Sequence, residues 1–335
     1  MASERVSTHE GFLDYMRARR PLLQDGYDLT LSRLLEGVAI KERDLVMDAL
    51  RAGKKIRGSL SCLVCEGLGG SIESAIPRAV AIELIQAATL IHDDFVDQDV
   101  TRGGRPAVWT LEGPQRAVLI GDVMFAAAIE MMSGLGAEDG RAASRAIAEA
   151  SRGALHEPLD PRMLADKIAS DGLHDRLYDK IIRLKTGVLF GVACTLGAIA
   201  ARGDEKCREA CHRCGLSIGE AYQIADDVAE IRKELSRPAL DPRRMVALAP
   251  ALLRFVPERR TQVEALLRGS GRDAGDRTID LFRSAAALME QEIESRLRSA
   301  RSAIEGVSLR DGYDELVRGA PRDIVAIFHE SCGPA

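Results

Sequence analysis

The sequence predicts an all-α protein, and two observations support that prediction. Apolar residues recur every three or four positions along nine segments, which is the repeat of a helix with one buried face. No segment alternates apolar and polar residues convincingly, as a half-buried strand would, and there is no alternation of strands with helices. The nine segments are residues 13–38, 42–50, 77–91, 114–132, 140–154, 173–200, 206–231, 259–267 and 276–304.

The breaks between these helices coincide with glycine and proline. Turns are predicted at residues 103–104, 134–140, 203–204, 237–238 and 269–275. A further stretch, residues 157–171, contains two prolines and is predicted to be irregular. Two stretches, residues 173–200 and 216–225, are apolar over much of their length, so we expect them at the centre of the fold.

The composition is that of an ordinary soluble chain and indicates one domain. The protein has 335 residues, of which 46% are hydrophobic and 29% charged. Because no Pro-, Gly- or Ser-rich linker divides the chain, we expect residues 1–335 to form a single all-helical domain. The formal net charge of −5 argues against a general nucleic-acid-binding surface. Any recognition of phosphate must therefore come from local basic groups.

The sequence also predicts a cytoplasmic protein. No apolar run approaches the roughly 20 residues of a membrane span, and the N-terminal residues lack the apolar stretch of a signal peptide. Seven cysteines, an odd number, do not indicate a disulfide framework. Cys207, Cys211 and Cys214 have the spacing of some iron–sulfur motifs, but on a helix they predict a buried stripe of small apolar side chains.

Two acidic clusters stand out, and each follows an apolar helical stretch. The first acidic cluster is Asp93-Asp94-Phe95-Val96-Asp97, and the second is Asp226-Asp227-Val228-Ala229-Glu230. Acids at i and i+4 share a helix face, about 5–6 Å apart at Cβ, and like charges there destabilise an isolated helix. Mg²⁺ would compensate them, because it binds carboxylate oxygens and shares its coordination with substrate phosphates. A solvated helix face is the alternative for either cluster taken alone.

Five motifs together resemble those of the trans-type polyprenyl diphosphate synthases. They are residues 52–57 (AGKKIR), residues 81–106 around the first acidic cluster, Gly121-Asp122, Lys185-Thr186-Gly187, and residues 222–227 (YQIADD). Their order and spacing agree with that family from about residue 31 to about residue 253. The resemblance implies an all-α fold of isoprenoid synthase type, with ten or more helices around a central cavity, and usually a homodimer. It also implies Mg²⁺-dependent, head-to-tail condensation of isopentenyl diphosphate with an allylic diphosphate.

The resemblance also implies roles for individual residues, all of them in or beside the five motifs. The metal ligands, for about three Mg²⁺ ions, would be Asp93, Asp97 and Asp226, with Asp94 and Asp227 beside them. The allylic diphosphate would contact Arg102 and Lys185, together with Lys233 as a substitute for a lysine that the family has further along the chain. The acceptor diphosphate would bind Lys54, Arg57 and Gln86. Thr186 and Gln223 would place dipoles near the carbocation.

Some of these residues have plain structural alternatives. Lys54 and Arg57 could be solvated side chains at a helix start, and Gln86 could be a core amide. Lys185 lies in a strongly apolar helix, where an unpaired ammonium is costly to bury, so a function is favoured. His92 is expected to pack or cap beside the carboxylates.

The chain departs from the family pattern in three places. Gly103 stands where the family has an arginine, and Glu230 where it has an aspartate. Residues 231–238 replace a Gly-Lys and Gly-x-Asp loop, with Lys233 and Arg237 as the nearest cations. The acceptor site is therefore expected to be impaired. Two alternatives stay open: a terpene-synthase-like or unusual prenyltransferase that ionises an allylic diphosphate without normal isopentenyl diphosphate use, and a non-catalytic partner subunit.

Product length is predicted from the helix that precedes the first acidic cluster. In the family, an aromatic residue four or five positions before the first aspartate gives short products. Here Thr89 and Ala88 occupy those positions, and both are small. Deeper positions are Ile85 on the same helix and Phe125, the expected lower stop, on the next. The resemblance therefore implies a product of at least twenty carbons.

Overall fold

The computed structural model describes residues 9–34, 36, 40–170, 172, 176–236, 242–269 and 276–330, and it confirms the all-α prediction. The helices in the N-terminal half are α1 (Phe12–Leu34), α2 (Ile40–Ala52), α3 (Ile56–Gly67), α4 (Ile72–Val96), α5 (Val108–Glu112), α6 (Pro114–Leu135) and α7 (Ala137–Ala154). Those that follow are α8 (Pro161–Ala169), α9 (Leu177–Ile181), α10 (Val188–Ala200), α11 (Glu205–Leu235), α12 (Pro242–Phe255), α13 (Arg260–Leu267), α14 (Asp276–Ala303) and α15 (Asp314–Glu330).

Helices α10 and α11 form the centre of the fold, as their apolar sequences predict. Helix α10 is buried on nearly all sides and packs against α3, α4, α7 and α11. The α10–α11 contact is close because a Cβ atom at Gly215 would lie only 2.4 Å from the carbonyl oxygen of Phe190. Helix α14 covers the other side of α11. The long helix α11 is therefore held along its length, which fixes the position of the second acidic cluster.

Several elements differ from the sequence prediction. Residues 157–171 are not irregular throughout, because α8 occupies residues 161–169. Asp160 caps this helix by accepting a hydrogen bond from the Met163 amide at 2.7 Å, and Pro161 fits the first helical turn. Two-residue strands, β1 (Thr101–Arg102) and β2 (Arg105–Pro106), form an antiparallel pair around the predicted Gly103-Gly104 turn. Helices α3, α5, α12 and α15 were likewise not among the nine predicted segments.

Among the residues that the structure describes, three helices are long and apolar enough to cross a membrane by length and composition, so the expectation that no apolar run approaches that length is wrong. They are Ile72–Val96, Pro114–Leu135 and Leu177–Ala200, the last of which includes α9 and α10. In the first and third, 61% and 78% of the most apolar window is buried inside the protein, against 33% in Pro114–Leu135. Helices at the centre of a large helical fold are apolar on all sides, which gives them the same length and composition as a span.

The cysteines of the described part of the chain are all free: Cys62, Cys65, Cys194, Cys207, Cys211 and Cys214. Cys211 and Cys214 are buried and Cys207 is partly buried, all on one side of α11. Together with Cys194, the two buried thiols line a small apolar cavity. No residue of either acidic cluster lines this cavity.

Candidate active site

The first acidic cluster occupies the C-terminal end of α4. Asp93 and Asp94 lie in its last turn, and Asp97 ends the helix, with its amide donating to the Asp93 carbonyl at 2.8 Å. Carboxylates are unfavourable at this end of a helix, where the backbone dipole is already negative. The cluster therefore depends on cations supplied from elsewhere in the fold.

A short hairpin supplies the first of these cations, Arg102. Its Nε atom donates to Oδ1 of Asp94 at 2.7 Å, and its Nη2 atom contacts the same oxygen. Burial raises the pKa of the Asp94 carboxyl, and Arg102 opposes that rise. The chain reverses through Gly103 and Gly104, whose φ angles of 57° and 76° lie in the left-handed region that glycine adopts readily. Arg102 is thus engaged with the cluster itself, while its contact with an allylic diphosphate stays a prediction.

Lys185 supplies the second cation, from a π-helical turn (Ile182–Gly187) between α9 and α10. Such turns occur often at functional sites. The Lys185 Nζ atom lies 3.5 Å from Oδ2 of Asp93 and 2.6 Å from Oε2 of Glu157. Burial lowers the pKa of Lys185, but the charges of Asp93 and Glu157 outweigh burial and raise it overall. The ammonium group is therefore charged and held between two carboxylates.

The second acidic cluster lies within α11 and is held by neutral donors. Tyr178 donates through its hydroxyl to Oδ2 of Asp227 at 2.6 Å, and the Gln223 amide donates to Oδ1 at 3.1 Å. Thr186 donates through its hydroxyl to the Gln223 carbonyl oxygen at 2.6 Å. Burial raises the pKa of Asp227 to about 7, although the hydrogen bond from Tyr178 acts to lower it. Thr186 and Gln223, predicted separately, thus form one hydrogen-bonded chain that ends on Asp227.

The two clusters face a common region. Burial raises the pKa of Asp226, as does Glu230, whereas the charges of Lys54, Arg102 and Lys185 lower it. Asp226 is therefore within electrostatic reach of cations from the first cluster and of the basic segment before α3. The structure thus brings together residues that lie about 170 positions apart in the chain.

The acceptor-site residues include polar atoms that lack partners. The Arg57 guanidinium carbon lies 4.4 Å from the centre of the Phe190 ring, and its Nε atom is buried without a hydrogen bond. Oε1 of Gln86 is also buried without one. Lys54 is exposed, with its Nζ atom 5.4 Å from the centre of the Phe328 ring. Buried polar groups without partners are costly, so this arrangement fits a site for a polar ligand.

Lys233, Arg237 and His92 complete the residues that the sequence singled out. The exposed Lys233 side chain pairs with Glu230 at 3.3 Å, near the end of α11, so its contact with a diphosphate stays a prediction. Arg237 lies outside the residues that the structure describes. His92 does pack, with Nε2 3.0 Å from the Val118 carbonyl oxygen.

The proposed product-length residues lie on α4 and α6. Ala88 and Ile85 are fully buried, and the Thr89 hydroxyl donates to the Gln86 carbonyl at 2.8 Å. The Phe125 ring packs edge-on against His92, with ring centres 5.5 Å apart. Phe125 therefore contacts the residue directly before the first acidic cluster, at a shallower position on α4 than Ala88. Its role as a lower stop stays a prediction.

Glu157 and Tyr178 were not predicted as site residues. Glu157 falls in the segment expected to be irregular, and its partner Lys185 is 28 positions away. Tyr178 lies 49 positions from Asp227. The only available signal for Tyr178 was its position one to two helical turns before Lys185 in the same apolar segment. No local sequence pattern identified Glu157.

The carboxylates fit a divalent metal that also binds a ligand. Among the residues that the structure describes, the side chains of Asp97 and Asp226 have no hydrogen-bond donor and no ion-pair partner. Burial raises the pKa of both groups, and the nearby cations Arg102 and Lys185, which are not in contact with either, oppose that rise only in part. In the same part of the chain, no three acidic, histidine or cysteine side chains converge to enclose a metal alone. This arrangement is typical of Mg²⁺, which completes its coordination with water and phosphate oxygens.

Comparisons with known proteins agree with this site. Residues 43–242 match the polyprenyl synthetase family. A geranylgeranyl diphosphate synthase of Mycobacterium tuberculosis is 34% identical over 183 residues, which cover 54% of this chain and 51% of the relative. A (2E,6E)-farnesyl diphosphate synthase of Mycobacterium bovis is 36% identical over 182 residues, covering 53% and 49%. The chain thus matches about half the length of these relatives.

The fold has solved counterparts as well. A decaprenyl diphosphate synthase from Rhodobacter capsulatus superposes with a TM-score of 0.74 at 21% identity, covering 95% of this chain and 99% of that one. This likeness supports the isoprenoid synthase fold. The family match extends over more than half of the sequence and contains both acidic clusters, Lys54, Arg57 and Lys185. The chain belongs to the polyprenyl synthetase family.

Proposed function

We propose that this protein is a Mg²⁺-dependent prenyltransferase that condenses isopentenyl diphosphate head-to-tail with an allylic diphosphate. The product would be a longer trans-polyprenyl diphosphate of at least twenty carbons. One observation carries the proposal: the unpaired carboxylates of Asp97 and Asp226 lie within electrostatic reach of Lys185. Acids without partners beside a fixed cation suit a ligand that brings both metal ions and negative charge.

The chemistry follows from where charge develops. Asp93, Asp97 and Asp226 would hold Mg²⁺, which when bound would neutralise the diphosphate as its C–O bond to the allylic carbon breaks. Lys185 and Arg102 would bind diphosphate oxygens on which negative charge increases, so they would stabilise the transition state more than the ground state. No side chain is assigned as the general base for the final proton loss.

The acceptor diphosphate would be bound by the basic segment before α3. Arg57 and Gln86 each have a buried polar atom free of hydrogen bonds, and Lys54 is exposed nearby. The Thr186–Gln223 pair would direct oxygen atoms toward the positive charge on the allylic carbon. Because Thr186, Gln223 and Asp227 are joined by hydrogen bonds, the orientation of these dipoles depends on the second acidic cluster.

Turnover measurements test the proposal directly. The purified protein is incubated with Mg²⁺ and each allylic diphosphate, with and without labelled isopentenyl diphosphate. Extended diphosphates are the expected products. Hydrocarbons or alcohols formed without isopentenyl diphosphate would instead identify a terpene-synthase-like enzyme. Absence of turnover with every substrate would favour a non-catalytic partner subunit.

We also propose a homodimer that acts in the cytoplasm. Helix α6 supports the dimer, because Leu119 and Val123, one turn apart, remain 61% and 37% exposed on an apolar helix. Large exposed apolar surfaces commonly mark protein interfaces. Sedimentation should give a dimer mass for the wild type and a monomer mass for Leu119→Glu. A wild-type monomer would contradict this part of the proposal.

The product length can be tested at Ala88. This residue is fully buried on α4, just before the first acidic cluster, and replacement by phenylalanine adds volume to a packed site. We expect the wild type to make products of at least twenty carbons and Ala88→Phe to shorten them toward fifteen. Chromatography of the dephosphorylated products measures the length, and thermal melting identifies a damaged fold. A wild-type product of fifteen carbons or fewer would contradict this account of the cavity.

A further inference from the structure

The Lys185 ammonium group is neutralised by carboxylates before any substrate arrives. Its closest partner is Glu157, whose Oε2 atom lies 2.6 Å from Nζ, closer than Oδ2 of Asp93 at 3.5 Å. All three side chains are partly buried, with 20–26% of their surface exposed. An ion pair at this depth is screened less by water and salt than one on the surface. Lys185 is therefore not a freely available cation.

The backbone fixes Glu157 in this position. The end of α7 lies directly against the π-helical turn, because a Cβ atom at Gly153 would be only 2.6 Å from the Lys185 backbone nitrogen. After α7 the chain continues in tight turns, with the Glu157 amide donating to the Ala154 carbonyl at 3.1 Å. Glu157 thus follows the contact at Gly153 by one turn, so it is placed by the packing of two elements and not by a loose loop.

Glu157 adds a negative charge to a site that is already acidic. The charges of Asp93 and Asp97 act on Glu157, whose pKa burial raises, and the charge of Glu157 in turn acts on Asp227. A diphosphate that approaches without metal ions must displace a carboxylate from Lys185 and remain close to it. A diphosphate that arrives with divalent cations meets a third carboxylate that favours those cations. The sign of the effect of Glu157 therefore depends on the metal.

We propose that Glu157 is a positioning residue that makes diphosphate binding conditional on divalent metal, by placing a negative charge beside Lys185 and the first acidic cluster. The inference rests on the proposed function, because it concerns the same diphosphate-binding groups. It differs from that function in predicting a specific behaviour of the metal-free protein. The chain offers suitable variants to separate charge from contact.

The experiment is calorimetric titration of the full-length protein with inorganic diphosphate, once in EDTA and once with saturating Mg²⁺. The variant Glu157→Gln keeps the size of the side chain and removes its charge. The variant Glu157→Asp keeps the charge and shortens the reach. The control is Glu138→Gln, which removes a carboxylate from a comparable 2.6 Å ion pair with Arg208 outside the site.

In EDTA we expect Glu157→Gln to bind diphosphate at least about ten-fold more tightly than the wild type, the order expected for removing one nearby like charge. The wild type, Glu157→Asp and Glu138→Gln should bind alike. With Mg²⁺ the advantage of Glu157→Gln should shrink to about three-fold or less, or reverse.

Two outcomes would overturn the inference. One is equal affinity of the wild type and Glu157→Gln in EDTA, including no detectable binding by either. The other is Glu157→Asp behaving like Glu157→Gln, which would show that contact and not charge matters. Failure of the wild type to bind diphosphate with Mg²⁺ would count against the proposed function instead. The two ideas therefore fail separately, and melting curves identify any variant that is misfolded.

Discussion

The two acidic clusters have nearly the same sequence pattern but are stabilised in opposite ways. The first lies at the end of α4 and is compensated by cations, Arg102 on Asp94 and Lys185 near Asp93. The second lies inside α11 and is held by neutral donors from Tyr178 and Gln223. The first cluster therefore has a cation beside two of its three carboxylates, whereas in the second the buried Asp227 is held by neutral donors and only Glu230 has a cation in contact.

This difference indicates how the work is divided between the clusters. In the proposed reaction, Arg102 and Lys185 would bind the allylic diphosphate in exchange for their carboxylate partners. In the described part of the chain, Lys233 contacts Glu230 of the second cluster, but neither Asp226 nor Asp227 has a cation in hydrogen-bonding contact, so Asp226 depends on bound metal for compensation. Similar local sequences are thus given different electrostatic environments by the elements packed around them.

The largest expected effect is a loss of turnover, and it tests the metal binding that we propose for both clusters. We expect Asp93→Ala and Asp226→Ala each to lower turnover by more than about 100-fold with the fold intact, since each removes part of a preorganised charge-stabilising group. Steady-state assays across Mg²⁺ concentrations measure the loss. The control is Glu138→Ala, which removes a half-exposed carboxylate outside both clusters and outside the five motifs. Near wild-type turnover in either cluster variant would show that the metal assignment is wrong.

The second prediction tests the buried carboxyl group of Asp227, which distinguishes the second cluster from the first. Asp227 has a pKa of about 7 in the folded protein, raised by burial, against about 3.9 when unfolded. Its protonated form therefore stabilises the fold fully below about pH 4, and that stability is lost as pH rises through 7. Asp227→Asn should therefore make the free energy of unfolding depend less on pH between about 4 and 7, by at most about 1.4 kcal/mol per pH unit.

Urea unfolding in EDTA between pH 4.5 and 7.5 checks this expectation. The wild type should lose free energy of unfolding across the range more steeply than Asp227→Asn does. Parallel curves for the two proteins would mean that Asp227 does not retain its proton, and the contrast between the clusters would then disappear.

The smallest expected effect is a change in KM and concerns the short hairpin after the first cluster, the site of Gly103. Gly103 lacks the cation that the family has at this position, and a side chain there would meet no atom within 4 Å. Gly103→Arg should lower the KM for isopentenyl diphosphate several-fold, because a hydrogen bond to a charged group contributes roughly 1.5–3 kcal/mol. Gly103→Asn is the matched control, since asparagine tolerates a positive φ without adding charge. Equal KM values for the two variants would place the acceptor diphosphate elsewhere.

The sequence predicted most of the helices and both acidic clusters, because both depend on local spacing. The Asp97 amide donates to the Asp93 carbonyl, which is the i to i+4 hydrogen bond of an α-helix. The apolar runs in the sequence correctly indicated the positions of α4 and α11. The order of the motifs was enough to predict the family. These are properties of short segments, and tertiary packing alters them little.

What the sequence did not predict depends on contacts between distant segments. Glu157 and Tyr178 join the site only because the ends of α7 and α9 pack against the elements that carry Lys185 and Asp227. The pairing of Arg102 with Asp94 likewise needs the reversal at residues 103–104. Side-chain partners of buried charges are set by packing, so they cannot be inferred from periodicity.

The π-helical turn Ile182–Gly187 has a consequence for changes in chain length. In an α-helix each residue turns the chain by about 100°, so deleting one residue here would rotate α10 by that angle relative to α9. Helix α10 fits its neighbours in only one rotation about its axis. At Gly197, for example, it packs so closely against α3 that a Cβ atom would lie 2.4 Å from the Ser61 carbonyl oxygen, so a larger residue could not take that place. Substitutions in this turn change one side chain, whereas an insertion or deletion would shift the register of every contact that α10 makes.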